Sequence, residues 1–174
     1  MGAQAAGTAL SRIDGSPSLI ISTGFAGALQ PDLRTGDIIA EELSFCPAAI
    51  AALSRGNIHH HAGSIAHSNK VLTEPGEKLA LGRSTGALAV DMESSAIRAW
   101  AQERGLAALA LRVILDEAGR ALPRSLPTGE DAFSLACYAA LNPLSWPRLA
   151  ALWPLQRRAA AALTATMRAF LEAL

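Results

Sequence analysis

The sequence predicts a single α/β domain, and three stretches carry that prediction. Residues 106–115 form an almost unbroken apolar run, interrupted only by Arg112, which is the pattern of a strand covered on both faces by helices. Ser18–Ser22 is a compact run with two adjacent isoleucines, and it feeds directly into a small-residue turn, Thr23-Gly24-Phe25-Ala26-Gly27-Ala28-Leu29. Between these two strands, Ile97, Trp100 and Ala101 recur at helix-face spacing until Gly105 ends the helix. Strands alternating with helices favour a sheet with helices packed against its faces.

Length and composition bound the possibilities. A chain of 174 residues is long enough for one domain with a substantial core, so residues 1–174 are read as one unit. Hydrophobic residues make up 51% and charged residues only 17%, below the roughly 25% charged share of ordinary domains. So small a polar allowance fits a doubly covered sheet or a subunit interface. Fifteen basic and fifteen acidic residues cancel, which argues against a nucleic-acid-binding face. Cys46 and Cys137 lie far apart without a CxxC pattern, which predicts two reduced thiols in a cytoplasmic protein and neither a disulfide nor a metal site. The uncharged segment 132–147 is shorter than the roughly 20 residues of a spanning helix and contains Asn142, Pro143 and Pro147. The N-terminus lacks the basic start and apolar core of a secretory signal.

Taken in order, residues 2–13 read as a short alanine-rich helix and residues 14–17 as a turn. The first strand follows over 18–22, and its glycine-containing turn over 23–29 would let backbone N–H groups approach an anion or polar substrate. Gly36-Asp37-Ile38-Ile39 starts another strand, and Pro47 opens a short helix. His59, His60 and His61, with His67 nearby, are consecutive on an extended segment. Only His59 and His61 could then share a side, and no acid or cysteine at ligand spacing completes a metal sphere. Residues 62–66 and 70–72 read as short strands, and 75–82 as a helix carrying Lys78. Residues 87–90 form a short apolar run, followed by Asp91 and Glu93 in the first turn of the next helix, where the helix dipole keeps a carboxylate ionised. Asp116 closes the long apolar strand, and in open parallel sheets ligands bind beyond the carboxyl ends of strands. The alternative for all three acids is ordinary first-turn and loop positions. Residues 117–130 form a polar, turn-rich loop of a length that usually binds or covers something. The rest is helical, with Leu163, Met167, Phe170, Leu171 and Leu174 as one apolar stripe. No G-x-G-x-x-G follows the first strand, so a dinucleotide-binding domain is excluded on motif.

Three segments, in this order, resemble the purine nucleoside phosphorylase and nucleosidase superfamily. They are Ser22-Thr23-Gly24-Phe25-Ala26-Gly27 with Gly36-Asp37-Ile38-Ile39, Val90-Asp91-Met92-Glu93-Ser94, and Arg112-Val113-Ile114-Leu115-Asp116. Within that superfamily, the run from Gly86 to Ser94 and the Asp116-x-Ala118 and Leu122-Pro123 pairs look most like hopanoid-associated phosphorylases of the adenosylhopane nucleosidase type. Methylthioadenosine and adenosylhomocysteine nucleosidases are more distant.

The resemblance implies a three-layer α/β/α sandwich with a mixed, partly barrel-like sheet, an oligomeric protein, and cleavage of the N-glycosidic bond of a purine nucleoside. By the same resemblance, Asp116 matches the catalytic acid at purine N7 and Glu93 the acceptor for the ribose hydroxyls. Met92 packs on the sugar, Thr23, Gly24, Ala26 and Gly27 line the nucleophile side, and Arg112 helps hold the acidic loop. The implied substrate is a 5′-substituted adenosine, adenosylhopane among them. No metal and no cofactor are expected, with phosphate as the alternative to water. If the substrate is lipid-linked, segment 132–147 or loop 119–128 would shield it or touch a membrane surface. Two departures stand out. Leu115 replaces a serine common before the acid, and the family's first strand, with its glycine turn and water-activating carboxylate, precedes the segment equivalent to Gly2-Ala3. A catalytically silent binding relative is the competing expectation.

Overall fold

The computed structural model describes residues 3–13, 17–44, 46–122 and 146–174. Eleven elements follow in chain order: α1 (Ala3–Leu10), β1 (Leu19–Ala28), β2 (Ile38–Ser44), α2 (Pro47–Arg55), β3 (His61–Ala62), β4 (Ile65–His67), α3 (Pro75–Thr85), β5 (Ala89–Asp91), α4 (Ser94–Glu103), β6 (Ala107–Asp116) and α5 (Trp146–Ala173). Six strands make one sheet in the order β3-β2-β6-β1-β5-β4. The sheet is mixed: β6 runs parallel to β1 and antiparallel to β2, and β5 is antiparallel to β1 and parallel to β4.

The long apolar run becomes β6 for the reason the sequence implies. Its side chains alternate between two cores, as period-2 strand geometry requires. Ala108, Ala110 and Ile114 pack with Ile97, Trp100 and Ala101 of α4, whereas Leu109 and Leu111 pack with Ala49, Ala52 and Leu53 of α2 and Phe170 of α5. The result is helix, sheet and helix in three layers. Cys46 lies in the second core, where its thiol donates to the Ala108 carbonyl oxygen. Burial, reinforced by Glu42, pushes that thiol up to about 11.

Several predicted boundaries move. The strand expected to end at Ser22 continues to Ala28, so Thr23 and Gly24 are mid-strand residues paired with Leu111 and Arg112 and are not part of a turn. The register shifts between Ala26 and Gly27, where a bulge brings Gly27 opposite Asp116. Residues 70–72 form no strand, and 62–66 divides into the short β3 and β4. Asp91 ends β5 instead of starting a helix. On α5, Ala159, Thr166 and Phe170 are buried, with Leu163 and Met167 half-buried between and beside them. Leu171 and Leu174 are 60% and 52% exposed, so the apolar stripe is rotated from the predicted one. Residues 14–16 of the predicted turn, Cys137, loop residues beyond Leu122 and segment 132–145 lie outside the described residues. Among the described residues, no helix is long and apolar enough to cross a membrane.

Candidate active site

The carboxyl ends of β1, β5 and β6 converge on a cleft of about 180 Å³. Asp116, Glu93, Met92, Ala26 and Gly27 all line it, so five of the eight residues singled out from the sequence meet in one place. The cleft's apolar wall comes from Phe25, Val71, Leu72, Leu115 and Leu122. Thr23 and Gly24 are not among the lining residues, and Thr23 is exposed, a consequence of β1 running on past them. Arg112 is not a lining residue either.

Asp116 is 7% exposed. Burial raises its carboxyl above the ordinary aspartate range, and the charges of Lys78 and Arg120 oppose that rise. The bulge at Gly27 makes room for it: a Cβ on Gly27 would lie 3.3 Å from Asp116 Oδ1 and 3.4 Å from Oδ2. A further residue at the site, which no sequence motif singles out, is Lys78. It lies on α3, is 1% exposed, and donates from Nζ to Asp116 Oδ2 and to the carbonyl oxygens of Glu117 at 3.2 Å and Arg120 at 2.9 Å. Helix α3 can carry it there because Gly82 packs against β1's end; a Cβ on Gly82 would lie 2.5 Å from the Leu29 carbonyl oxygen.

Glu93 is the residue immediately before α4, and its side chain caps no helical N–H. That task falls to Asp91, whose carboxylate accepts from the Ser94 amide at 3.1 Å and from the Ser94 hydroxyl at 2.5 Å. Glu93 is therefore held at the helix N-terminus by its neighbour's capping bonds, half-buried and facing the cleft. Arg112 completes this structure: Nε donates to Asp91 Oδ2 at 2.7 Å, and its terminal nitrogens donate to Ser22 and to the Ser94 hydroxyl. The resemblance gives Arg112 the acidic loop to hold, and the alternative for a charged residue in a strand is an ion pair in the sheet. Its ion pair is with Asp91 at the junction of β5 and α4, because on β6 it projects to the α4 side of the sheet, as its even-numbered neighbours do.

The histidines take no part in the cleft. His59 and His61 meet edge to face with ring centroids 5.8 Å apart, and the His67 ring nitrogen lies 2.8 Å from Asn69 Oδ1. No group of three or more His, Cys, Asp or Glu side chains among the described residues could hold a metal ion.

This arrangement can donate a proton from a buried carboxyl and accept hydrogen bonds at a second, separately anchored carboxylate. Comparison with known proteins gives it a context. The chain is similar in structure to Streptococcus pneumoniae MTA/SAH nucleosidase in complex with 8-aminoadenine, with a TM-score of 0.67 and 17% identity, covering 100% of this chain and 78% of that one. It is similar also to futalosine hydrolase of Helicobacter pylori (TM-score 0.61, 17% identity, covering 99% of this chain and 74% of that one). Campylobacter jejuni 5′-methylthioadenosine/S-adenosyl homocysteine nucleosidase gives a TM-score of 0.56 at 20% identity, over 77% of this chain and 69% of that one. These likenesses establish the nucleosidase-type α/β fold. No curated protein matches the chain by sequence. The model of the phosphorylase superfamily matches residues 40–136, more than half of the sequence and the part that contains Asp91, Glu93 and Asp116. The chain therefore belongs to the phosphorylase superfamily.

Proposed function

We propose that the protein cleaves the N-glycosidic bond of a purine nucleoside, with a 5′-substituted adenosine as substrate. The observation that carries this reading is that Asp116 and Glu93, which end or follow two different strands, line one cleft. In the reaction Asp116 donates a proton to N7 as the C1′–N9 bond breaks, so that the base leaves neutral. Burial favours the protonated carboxyl this needs, and such general-acid assistance is worth roughly 10²- to 10⁴-fold in rate. Glu93 accepts hydrogen bonds from the ribose 2′- and 3′-hydroxyls and favours the positive charge that develops on the sugar. Met92 packs against the sugar, and water or phosphate attacks C1′. The reaction calls on no metal or organic cofactor.

The wall of Phe25, Val71, Leu72, Leu115 and Leu122 favours an apolar 5′ group. A hopane-type substituent stands toward the large end of such groups and a methylthio group toward the small end. The test is adenine release from 5′-methylthioadenosine and from adenosines with longer 5′ alkyl chains, each with and without phosphate. Release that requires phosphate identifies phosphorolysis, and release without it identifies hydrolysis. The Asp116→Asn variant should lose roughly 10²- to 10⁴-fold in rate with its fold intact. Full activity in that variant, or no release from any adenosine by the wild type, would overturn the proposal.

A further inference from the structure

A buried lysine stands directly behind the aspartate, and the reading above gives it no role. Lys78 is among the largest of the described side chains with under 2% exposure. An ammonium is costly to bury unless it is paired and all its protons are used. Here each of the three N–H donors has a partner: Asp116 Oδ2, the Glu117 carbonyl and the Arg120 carbonyl. Two of the three partners are backbone atoms of the loop that follows β6. The same loop is secured from the other side, where the Leu122 amide donates to the Thr73 carbonyl oxygen at 2.8 Å. Lys78 takes Oδ2, and no donor among the described residues takes Oδ1, the oxygen nearest Gly27.

We infer that Lys78 is the positioning residue of the site: from α3 it clamps one oxygen of Asp116 and the loop after it, so that the other oxygen is presented to the purine. This inference rests on the N-glycosidase reading of the cleft. It assigns Lys78 two effects that a packing residue lacks. One is orientation, because a carboxylate held by one oxygen cannot rotate away from the base. The other is electrostatic, because a charge at hydrogen-bond distance governs when the carboxyl gains its proton. Other charges around Asp116 act more weakly. Arg120 lies in the loop, Lys70, Asp91 and Glu93 line the same cleft without a hydrogen bond to Asp116 among the described contacts, and neighbouring Glu117 is partnered by Arg34 at 3.5 Å.

The test compares wild type with Lys78→Met, which keeps the length of the stem and removes the charge. Removing a positive neighbour raises the Asp116 titration further. The high-pH limb of kcat, where the acid loses its proton, should therefore move upward by about one pH unit or more. With orientation lost, kcat should fall by roughly tenfold or more, while KM changes little. A folded Lys78→Met protein with the limb unmoved and kcat within about twofold of wild type would overturn the inference.

A second measurement needs neither a variant nor activity. In the wild type, the Lys78 ammonium nitrogen resonance, followed by NMR together with the Asp116 carboxyl carbon, should shift at the pH where Asp116 titrates. A nitrogen resonance that does not move across the Asp116 step would overturn the clamp. If the wild type releases no adenine, the function falls, and whether the nitrogen senses the Asp116 step still decides the role of Lys78.

Discussion

Two buried ion pairs lie a few residues apart in this fold, and they are built to opposite purposes. In Arg112–Asp91 the side chains are 3% and 1% exposed, and both members are saturated by Ser22, Ser94 and each other. In Lys78–Asp116 the lysine is equally enclosed, at 1%, but the aspartate keeps 10% exposure and one oxygen without a donor among the described residues. The first pair is closed and holds the junction of β5 and α4 together. The second is open on one side and can do chemistry there. On the proposed function, what sets Asp116 apart from Asp91 is the unfilled acceptor it turns to the cleft, since burial and pairing are common to both.

That contrast can be broken in graded steps. The largest effect is the loss of adenine release in Asp116→Asn. Its counterpart at the closed pair is Arg112→Met. It strands Asp91 in the core and should cost about 3–5 kcal/mol of stability, measured as a drop in the urea midpoint, with activity falling only as the folded fraction falls. Loss of activity without loss of stability would mean that Arg112 reaches the substrate after all. Glu93→Gln tests the sugar side. Losing charge-assisted bonds of about 1.5–3 kcal/mol should lower kcat/KM by roughly ten- to a hundredfold for ribosides. The same change should matter far less for a 2′,3′-dideoxy substrate, and equal losses on both would remove Glu93 from the ribose. The smallest effect belongs to Gly27→Ala. The added methyl would press on the Asp116 carboxylate at 3.3 Å, so a several-fold fall in kcat with little change in melting temperature is expected, and an unchanged kcat would show that the carboxylate yields without consequence.

Much of this was legible in the sequence because it depends on local pattern. β6 is readable since a strand buried on both faces must be apolar along its whole length, and Asp116 is conspicuous as the acid that ends it. The span of β1 was not readable: Thr23-Gly24 has turn composition, yet nine residues of pairing with β6 override it. β5 is only three residues long, too short for any periodicity to separate Asp91 from the helix it precedes. Lys78 could not be found at all, because its partner lies 38 residues away and nothing on α3 distinguishes it from a solvent-facing lysine. The face of α5 was misjudged because buried Ala159 and Thr166 are less hydrophobic than exposed Leu171 and Leu174.

The cleft's two kinds of lining have different anchorage, and this has an evolutionary consequence. Asp116 and Glu93 are tied to the interior through Lys78 on one side and Asp91 on the other, whereas Val71, Leu72 and Leu122 belong to connecting segments outside any strand or helix. On the proposed function, drift at Val71 and Leu72 would reshape the berth for the 5′ group without disturbing either acid, so a lineage could change the size of substituent it accepts while Asp116 and Glu93 stayed fixed.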